Sequence, residues 1–196
     1  MSKKTKYIFT TFIIIGIVFQ FIIPATMIFH QEEILRKGAR VYFETGAVDP
    51  LDVFCGRYVD LNLAEFNLQW DDKRWEGFAN GWWYAVIQTN EQGVATITNL
   101  EATLPEGEDI LYFRVKKYWR WLESPFKKFY MPEKLAPVAE DIYREMAPRR
   151  GQETTNSVLL AVRIYDGKTA VEDLLVNGTP MIHAAQERLK EKQGKR

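Results

Sequence analysis

The chain has 196 residues, and its 26 basic and 26 acidic side chains give a formal net charge of zero. This length allows one globular domain plus an anchor, and the balanced charge argues against a dedicated nucleic-acid binder. The single cysteine, Cys55, and the two well-separated histidines, His30 and His183, argue against a disulfide, a metal site or a Ser/His/Asp triad, so we expect no metal and no other cofactor.

A long uncharged segment follows the N-terminal lysines. Residues 7–29 contain no charged side chain, and a helix of that length reaches roughly 34 Å, enough to cross the hydrocarbon core of a bilayer. The alternative, a cleaved signal peptide, is disfavoured because the apolar segment is too long and no small-residue cleavage site follows it. We therefore predict a transmembrane helix at 7–29, followed by a linker at 30–38.

The basic residues on the two sides of this helix predict its orientation. Those before the helix lie close to its end and have no acid among them, whereas Glu32 and Glu33 dilute those that follow. We expect a cytoplasmic tail at 1–6 and a domain on the extracytoplasmic side of a bacterial inner membrane. The basic residues compared are Lys3, Lys4 and Lys6 before the helix and Arg36, Lys37 and Arg40 after it.

Several segments after the linker have the residue patterns of β-strands, with β-branched and aromatic residues or alternating polarity. Hairpin signals, above all Asp166-Gly167, join some of them, so we expect mostly antiparallel pairing. The predicted strands are 39–44, 57–63, 81–88, 94–100, 110–121 (as one strand or two), 157–165 and 168–176.

One amphipathic helix is predicted at 135–146, where apolar residues recur at helical spacing. The tail at 179–196 is mainly basic, and we expect it to be a frayed helix or disordered. The predicted fold class is therefore mainly β (α+β), with a transmembrane helix followed by an antiparallel β domain at 39–178.

Residues 47–63 concentrate side chains that could carry chemistry. Asp49, Asp52 and Asp60 would suit acid–base catalysis or cation binding, and Cys55 beside the basic Arg57 would suit a reactive thiolate. Turn formation accounts for acids beside proline and glycine more simply, and a lone cysteine is more often a small buried residue.

All six tryptophans fall between Trp70 and Trp121. Four of them, Trp82, Trp83, Trp119 and Trp121, are candidates for a ligand-stacking or membrane-interface surface, because basic residues are interleaved with the last two. Core and cross-strand packing is the commoner use of tryptophan. The alternation in 110–121 also groups Trp119 and Trp121 with apolar residues, namely Leu111, Phe113 and Val115.

Two short blocks resemble the signature of the GDYXXLXY family. In the first block Gly56, Tyr58 and Leu61 match the signature, while Arg57 and Leu63 replace its Asp and its last Tyr. The second block, FYMPE, supplies Phe129, Tyr130, Pro132 and Glu133 and leads into the predicted helix. The final hairpin also matches, so the resemblance covers about 41–178.

The resemblance implies a membrane-anchored protein that has no assigned activity and is often accompanied by a polytopic membrane protein. A weaker similarity to leader-peptidase-type Ser/Lys proteases concerns the fold alone, because Ala47 stands where those enzymes carry the nucleophilic serine.

We therefore expect a membrane-anchored extracytoplasmic module that contacts the lipid bilayer and binds another membrane protein, with no nucleic-acid partner. Two alternatives stay open. One is a hydrolase with an acid or cysteine site at 49–60, and the other is a small-ligand or glycan-binding module that uses the tryptophan-rich face. A deep pocket gathering several of the acids would favour the hydrolase, whereas a flat exposed apolar patch would favour partner binding.

Overall fold

The chain begins with one long helix, α1 (Lys3–Lys37). The computed structural model describes residues 3–46, 58–63, 65–66, 75, 77–107, 109–119, 121–147 and 157–194. The part of α1 from Thr11 to Lys37 has a mean hydropathy of 2.5 over its most apolar window, and none of that window is buried against protein. The helix is therefore long and apolar enough to cross a membrane, and it continues to Lys37, through most of the segment 30–38 that the sequence predicts as a linker.

Three antiparallel sheets follow α1 within the described residues, which confirms the mainly β fold class. Their strand orders are β11-β10-β9-β1-β3, β2-β8 and β5-β4-β6-β7. The strands are β1 (Ala39–Gly46), β2 (Tyr58–Asp60), β3 (Asn62–Leu63), β4 (Gly81–Thr89), β5 (Ala95–Glu101), β6 (Leu111–Tyr118), β7 (Trp121–Glu123), β8 (Lys128–Tyr130), β9 (Val158–Tyr165), β10 (Lys168–Val176) and β11 (Thr179–Pro180).

Two helices pack on this framework. The predicted amphipathic helix is α2 (Ala136–Met146), which buries Val138, Ala139 and Ile142 on one side. A further helix, α3 (Met181–Gly194), occupies the tail that we expected to be frayed or disordered. Its apolar residues are few, but Met181 and Ala185 are fully buried, and Arg188 pairs with Glu145 of α2 at 2.6 Å. Tertiary contacts therefore order a segment whose own pattern is weak.

The end of α1 is fixed to the large sheet by a charged network. Arg163 of β9 donates one hydrogen bond to the carbonyl oxygen of Gly38 at 3.0 Å and another to Glu172 of β10 at 2.6 Å. Arg40 pairs with the same carboxylate at 3.1 Å. Gly38 is required here, because a Cβ atom would lie 2.5 Å from the carbonyl oxygen of Ile34. The end of the domain next to α1 is thus built from α1, β9 and β10.

Four phenylalanines form the centre of the core. Phe43 of β1 and Phe113 of β6 are fully buried, and both rings lie about 6 Å from those of Phe66 and Phe126, with centroid distances of 5.6 to 6.3 Å. Because these residues come from both larger sheets and from the connections between them, the cluster joins the layers of the domain.

Replacing Phe43 should therefore weaken the whole domain. We expect Phe43→Ala to lower the free energy of unfolding by about 3–5 kcal/mol, since it removes a buried ring and leaves a cavity. Leu104→Ala, at a residue that is 54% exposed, serves as the control and should change it by less than about 0.5 kcal/mol. Urea unfolding of the full chain in detergent micelles measures both, and equal effects would contradict this assignment of the core.

Candidate functional site

The reactive stretch predicted from the sequence lies mostly outside the described residues. Asp49, Asp52, Cys55, Gly56 and Arg57 are not among them. Asp60 is described through its backbone alone, in β2, where it stands opposite Lys128. Within the described part of the chain, no three histidine, cysteine or acidic residues gather into a metal site. The catalytic candidates therefore stay predictions.

The two sequence blocks that suggest a family pair directly with each other. β2 carries the end of the first block and β8 the start of the second, with Tyr58 opposite Tyr130 and Val59 opposite Phe129. Val59 and Phe129 point inward and are almost completely buried. The amide of Leu61 extends the pairing by donating to the carbonyl oxygen of Lys127 at 2.9 Å.

The outer side of this strand pair carries aromatic and basic groups. The rings of Tyr58 and Tyr130 meet edge to face with centroids 5.7 Å apart, and the ammonium of Lys128 lies 3.8 Å from the centre of the Tyr58 ring. Tyr130 is 70% exposed. The pair therefore presents a tyrosine and a lysine to solvent while its inner side belongs to the core.

The remaining motif residues complete the connections of this pair. Leu63 lies in β3, is buried, and stands opposite Thr45 at the end of β1. The carbonyl oxygen of Pro132 accepts hydrogen bonds from the amides of Leu135 and Ala136, at 2.9 and 3.1 Å, and so forms the turn that leads into α2. Glu133, in the same turn, is exposed. These residues thus have structural positions that account for their place in the motif.

Three of the four tryptophan candidates, Trp82, Trp119 and Trp121, lie on the solvent side of the four-stranded sheet β5-β4-β6-β7. Trp82 of β4 stands opposite Lys116 of β6, so Trp82 is a diagonal neighbour of Tyr118. Tyr118 in turn stands opposite Trp121 of β7. Trp121 stacks with Tyr118 at 6.2 Å and meets Trp119 edge to face at 5.9 Å. We call Trp82, Tyr118, Trp119 and Trp121 the aromatic row.

The aromatic row is exposed, contrary to the expectation that tryptophans pack in the core. Its members are 60%, 58%, 53% and 48% exposed in chain order. The alternation that grouped Trp119 and Trp121 with Phe113 and Val115 fails because β6 ends at Tyr118 and Trp119 turns the chain with a φ of 53°. The buried position next along β6 belongs instead to Lys117.

The strained turn at Trp119 is stabilised by side chains on both sides. Its amide donates to the Oδ1 atom of Asn80 at 2.7 Å, and its carbonyl oxygen accepts from the ammonium of Lys117. A left-handed backbone is unfavourable for a bulky residue and persists only where its surroundings fix it. The molecule thus maintains a conformation that brings two tryptophans to the surface.

Trp83 faces the other way and does not belong to this surface. It stands opposite the buried Val115, packs edge to face on Phe78 at 5.1 Å, and donates its indole N–H to the carbonyl oxygen of Ala79 at 2.9 Å. Core packing is therefore the role of Trp83, as is also true of the buried Trp75.

A basic cleft of about 590 Å³ adjoins the aromatic row, and Trp82 belongs to both. The segment that joins β7 to β8 forms one wall of this cleft, and the side chains of Trp82 and Tyr130 line it. Among the described residues, its charged lining comprises four basic residues and one acidic residue: Arg114, Lys116, Lys127, Lys128 and Glu123. The cleft therefore has an excess of positive charge in a chain whose net charge is zero.

Two contacts organise the cleft. Arg114 lies over the Trp82 ring with 5.0 Å between the guanidinium carbon and the ring centre, which fixes the indole at the cleft. Glu123 accepts a hydrogen bond from the Lys127 ammonium at 2.6 Å, and this bond lowers the pKa of its carboxyl. Glu123 is thus ionised and paired with Lys127, and Lys116 stands opposite it on the neighbouring strand β6.

Sequence reasoning found part of this site and missed part of it. The interleaving of aromatic and basic residues pointed to Arg114 and Lys116. Lys127 and Lys128 were not singled out, because the cleft depends on where β8 pairs. The pattern KKFY next to a family block is the signal that could have drawn attention to them.

The fold and the site together define a class: an antiparallel β domain that follows an apolar helix and exposes aromatic and basic residues. The sequence model of the GDYXXLXY protein family matches residues 20–174, and the chain belongs to that family. Neither the curated proteins nor the solved structures compared with the chain contain a significant match. The similarity to leader-peptidase-type proteases is therefore not supported by any solved structure.

The pairing of the two motif blocks can be tested through its buried residues. We expect Val59→Ala and Phe129→Ala to lower the free energy of unfolding by about 1–3 and 3–5 kcal/mol, respectively, because both side chains leave cavities. Since the two residues stand opposite each other, the double variant should deviate from additivity by about 0.5–3 kcal/mol. Val59→Ala combined with Leu104→Ala is the control and should be additive. Additive effects of the Val59 and Phe129 variants would show that the blocks do not meet.

Proposed function

We propose that this protein is a membrane-anchored binding module that holds another membrane protein through its aromatic row, on the extracytoplasmic side of a bacterial inner membrane. The observation that carries the proposal is the exposure of four large aromatic side chains, three of which contact one another. Soluble surfaces seldom expose such groups together, and contiguous apolar patches mark interaction sites. Tryptophan and tyrosine are also the residues most enriched among those that dominate binding energy.

The shape of the surface favours a partner over a reaction. The row lies on the solvent face of a sheet and on a turn, so it offers a broad contact area. The exposed rings do not contribute the stability that they would contribute if they were buried. A maintained strained turn at Trp119 adds a cost of its own, which suggests that the exposed arrangement is selected for binding.

The row lies away from the end of α1. Phe113 of β6 bridges to Gly167 in the β9–β10 turn, which is close to where α1 meets the sheet. Trp119 is about six residues farther along the chain, or roughly 20 Å at the rise of a β-strand. The proposed partner therefore reaches the row with a loop or domain outside the bilayer, and the row is a poor candidate for a membrane-interface belt.

Site-specific photo-crosslinking tests the partner. With benzoylphenylalanine at position 119 or 121 of the full chain in intact native membranes, we expect an adduct with one polytopic membrane protein, identified by mass spectrometry. The same group at position 186, an exposed site on α3, is the control and should give no such adduct. Trp82→Ala should reduce the yield from position 119 about ten-fold or more if Trp82 contributes a typical hot-spot energy of about 2 kcal/mol. No adduct from either row position would overturn the proposal.

The orientation is tested by the single cysteine. In intact spheroplasts treated with a denaturant that leaves the membrane sealed, a membrane-impermeant maleimide should label Cys55 nearly completely, because the proposal places the domain outside the cytoplasm. A variant with Cys55→Ser and Ser2→Cys carries its thiol on the predicted cytoplasmic tail and should label only after the membrane is dissolved. Protection of Cys55 together with labelling of the tail would reverse the orientation.

A further inference from the structure

We infer that the basic cleft receives an acidic, extended segment of the partner protein. This inference rests on the proposed function, since it names the chemistry of the partner that the aromatic row holds. The cleft and the row share Trp82, so one partner can contact both surfaces at once.

The charge of the lining indicates an anionic ligand. Among the described lining residues, four are cationic and one is a carboxylate, which pairs with Lys127. Arg114 and Lys116 project from the same strand at positions two apart, so both lie on its outer face, about 7 Å from each other along the strand. Carboxylates on alternate residues of an extended chain have the same spacing.

The walls of the cleft indicate a polypeptide. The cleft is an open groove between the face of β6 and the segment 124–128, and an extended chain can lie along a groove of this kind. Trp82 and Tyr130 supply apolar surface for the methylene groups of the bound chain's side chains. A cleft of about 590 Å³ accommodates a few residues of an extended chain.

A labelled acidic peptide provides the direct test. The full chain in phosphatidylcholine nanodiscs should bind rhodamine-labelled hexaglutamate, measured by fluorescence anisotropy, and should not bind hexaglutamine with comparable affinity. Raising the ionic strength should weaken hexaglutamate binding, because exposed charges are screened. Equal affinity for the two peptides, or no binding of either, would overturn the inference.

Charge variants assign the binding to the cleft. Arg114→Gln combined with Lys116→Gln should weaken hexaglutamate binding about ten-fold, since each exposed cation contributes up to a few-fold in affinity. Lys168→Gln combined with Lys190→Gln removes the same charge at exposed positions outside the cleft and should leave the affinity unchanged. Glu123→Gln should tighten binding about two-fold to three-fold, because it removes the acid and releases Lys127. Thermal melts of each variant confirm that the fold is retained.

Three further outcomes distinguish a failure of this inference from a failure of the proposed function. If polygalacturonate bound with the same dependence on Arg114 and Lys116 while hexaglutamate did not, the ligand would be an anionic saccharide and the peptide assignment would be wrong. If the double variant Arg114→Gln, Lys116→Gln kept both the photo-adduct from position 119 and the affinity for hexaglutamate, the cleft would have no part in binding. Loss of the adduct in the unmodified chain would instead overturn the proposed function itself.

Discussion

The pairing of β2 with β8 is the constraint on which the candidate site depends. It joins residues that are about seventy positions apart. Bringing the ends of such a long connection together costs conformational entropy, and buried side chains must offset that cost. Val59 and Phe129 supply that burial. Once they are in place, Tyr58, Lys128 and Tyr130 are directed outward, and the segment between β7 and β8 becomes a wall of the cleft.

The same pairing accounts for the residue types at the described positions of the family signature. Its leucine, Leu61, packs against the core, the buried Leu63 takes the place of its last tyrosine, and its first tyrosine, Tyr58, contacts the tyrosine of the second block. Recurring residues at these places are accounted for by packing and by one aromatic contact. A catalytic role is therefore unnecessary to explain the described part of the signature.

The parts of the fold that local patterns determine could be predicted from the sequence. The Asp166-Gly167 turn has positive φ at both residues, which is what its dipeptide indicates, and β10 has the predicted bounds. The pairing of β2 with β8 could not be predicted, because two three-residue strands carry no signal of register. The sequence pattern left surface and core positions open for Trp119 and Trp121, because their exposure depends on a left-handed turn at a tryptophan, which propensity disfavours.

The aromatic row and the basic cleft are built on the same strands, and this has a consequence for binding. β4 carries Trp82 and β6 carries Arg114 and Lys116, and these strands pair directly, so the two surfaces keep a fixed relation to each other. A partner that satisfies both obtains apolar burial and charge complementarity with little ordering cost on this side. For the proposed partner, the aromatic contacts would supply most of the affinity, and the cations would favour acidic over basic segments. A rigid sheet that combines the two is suited to recognising one specific neighbour.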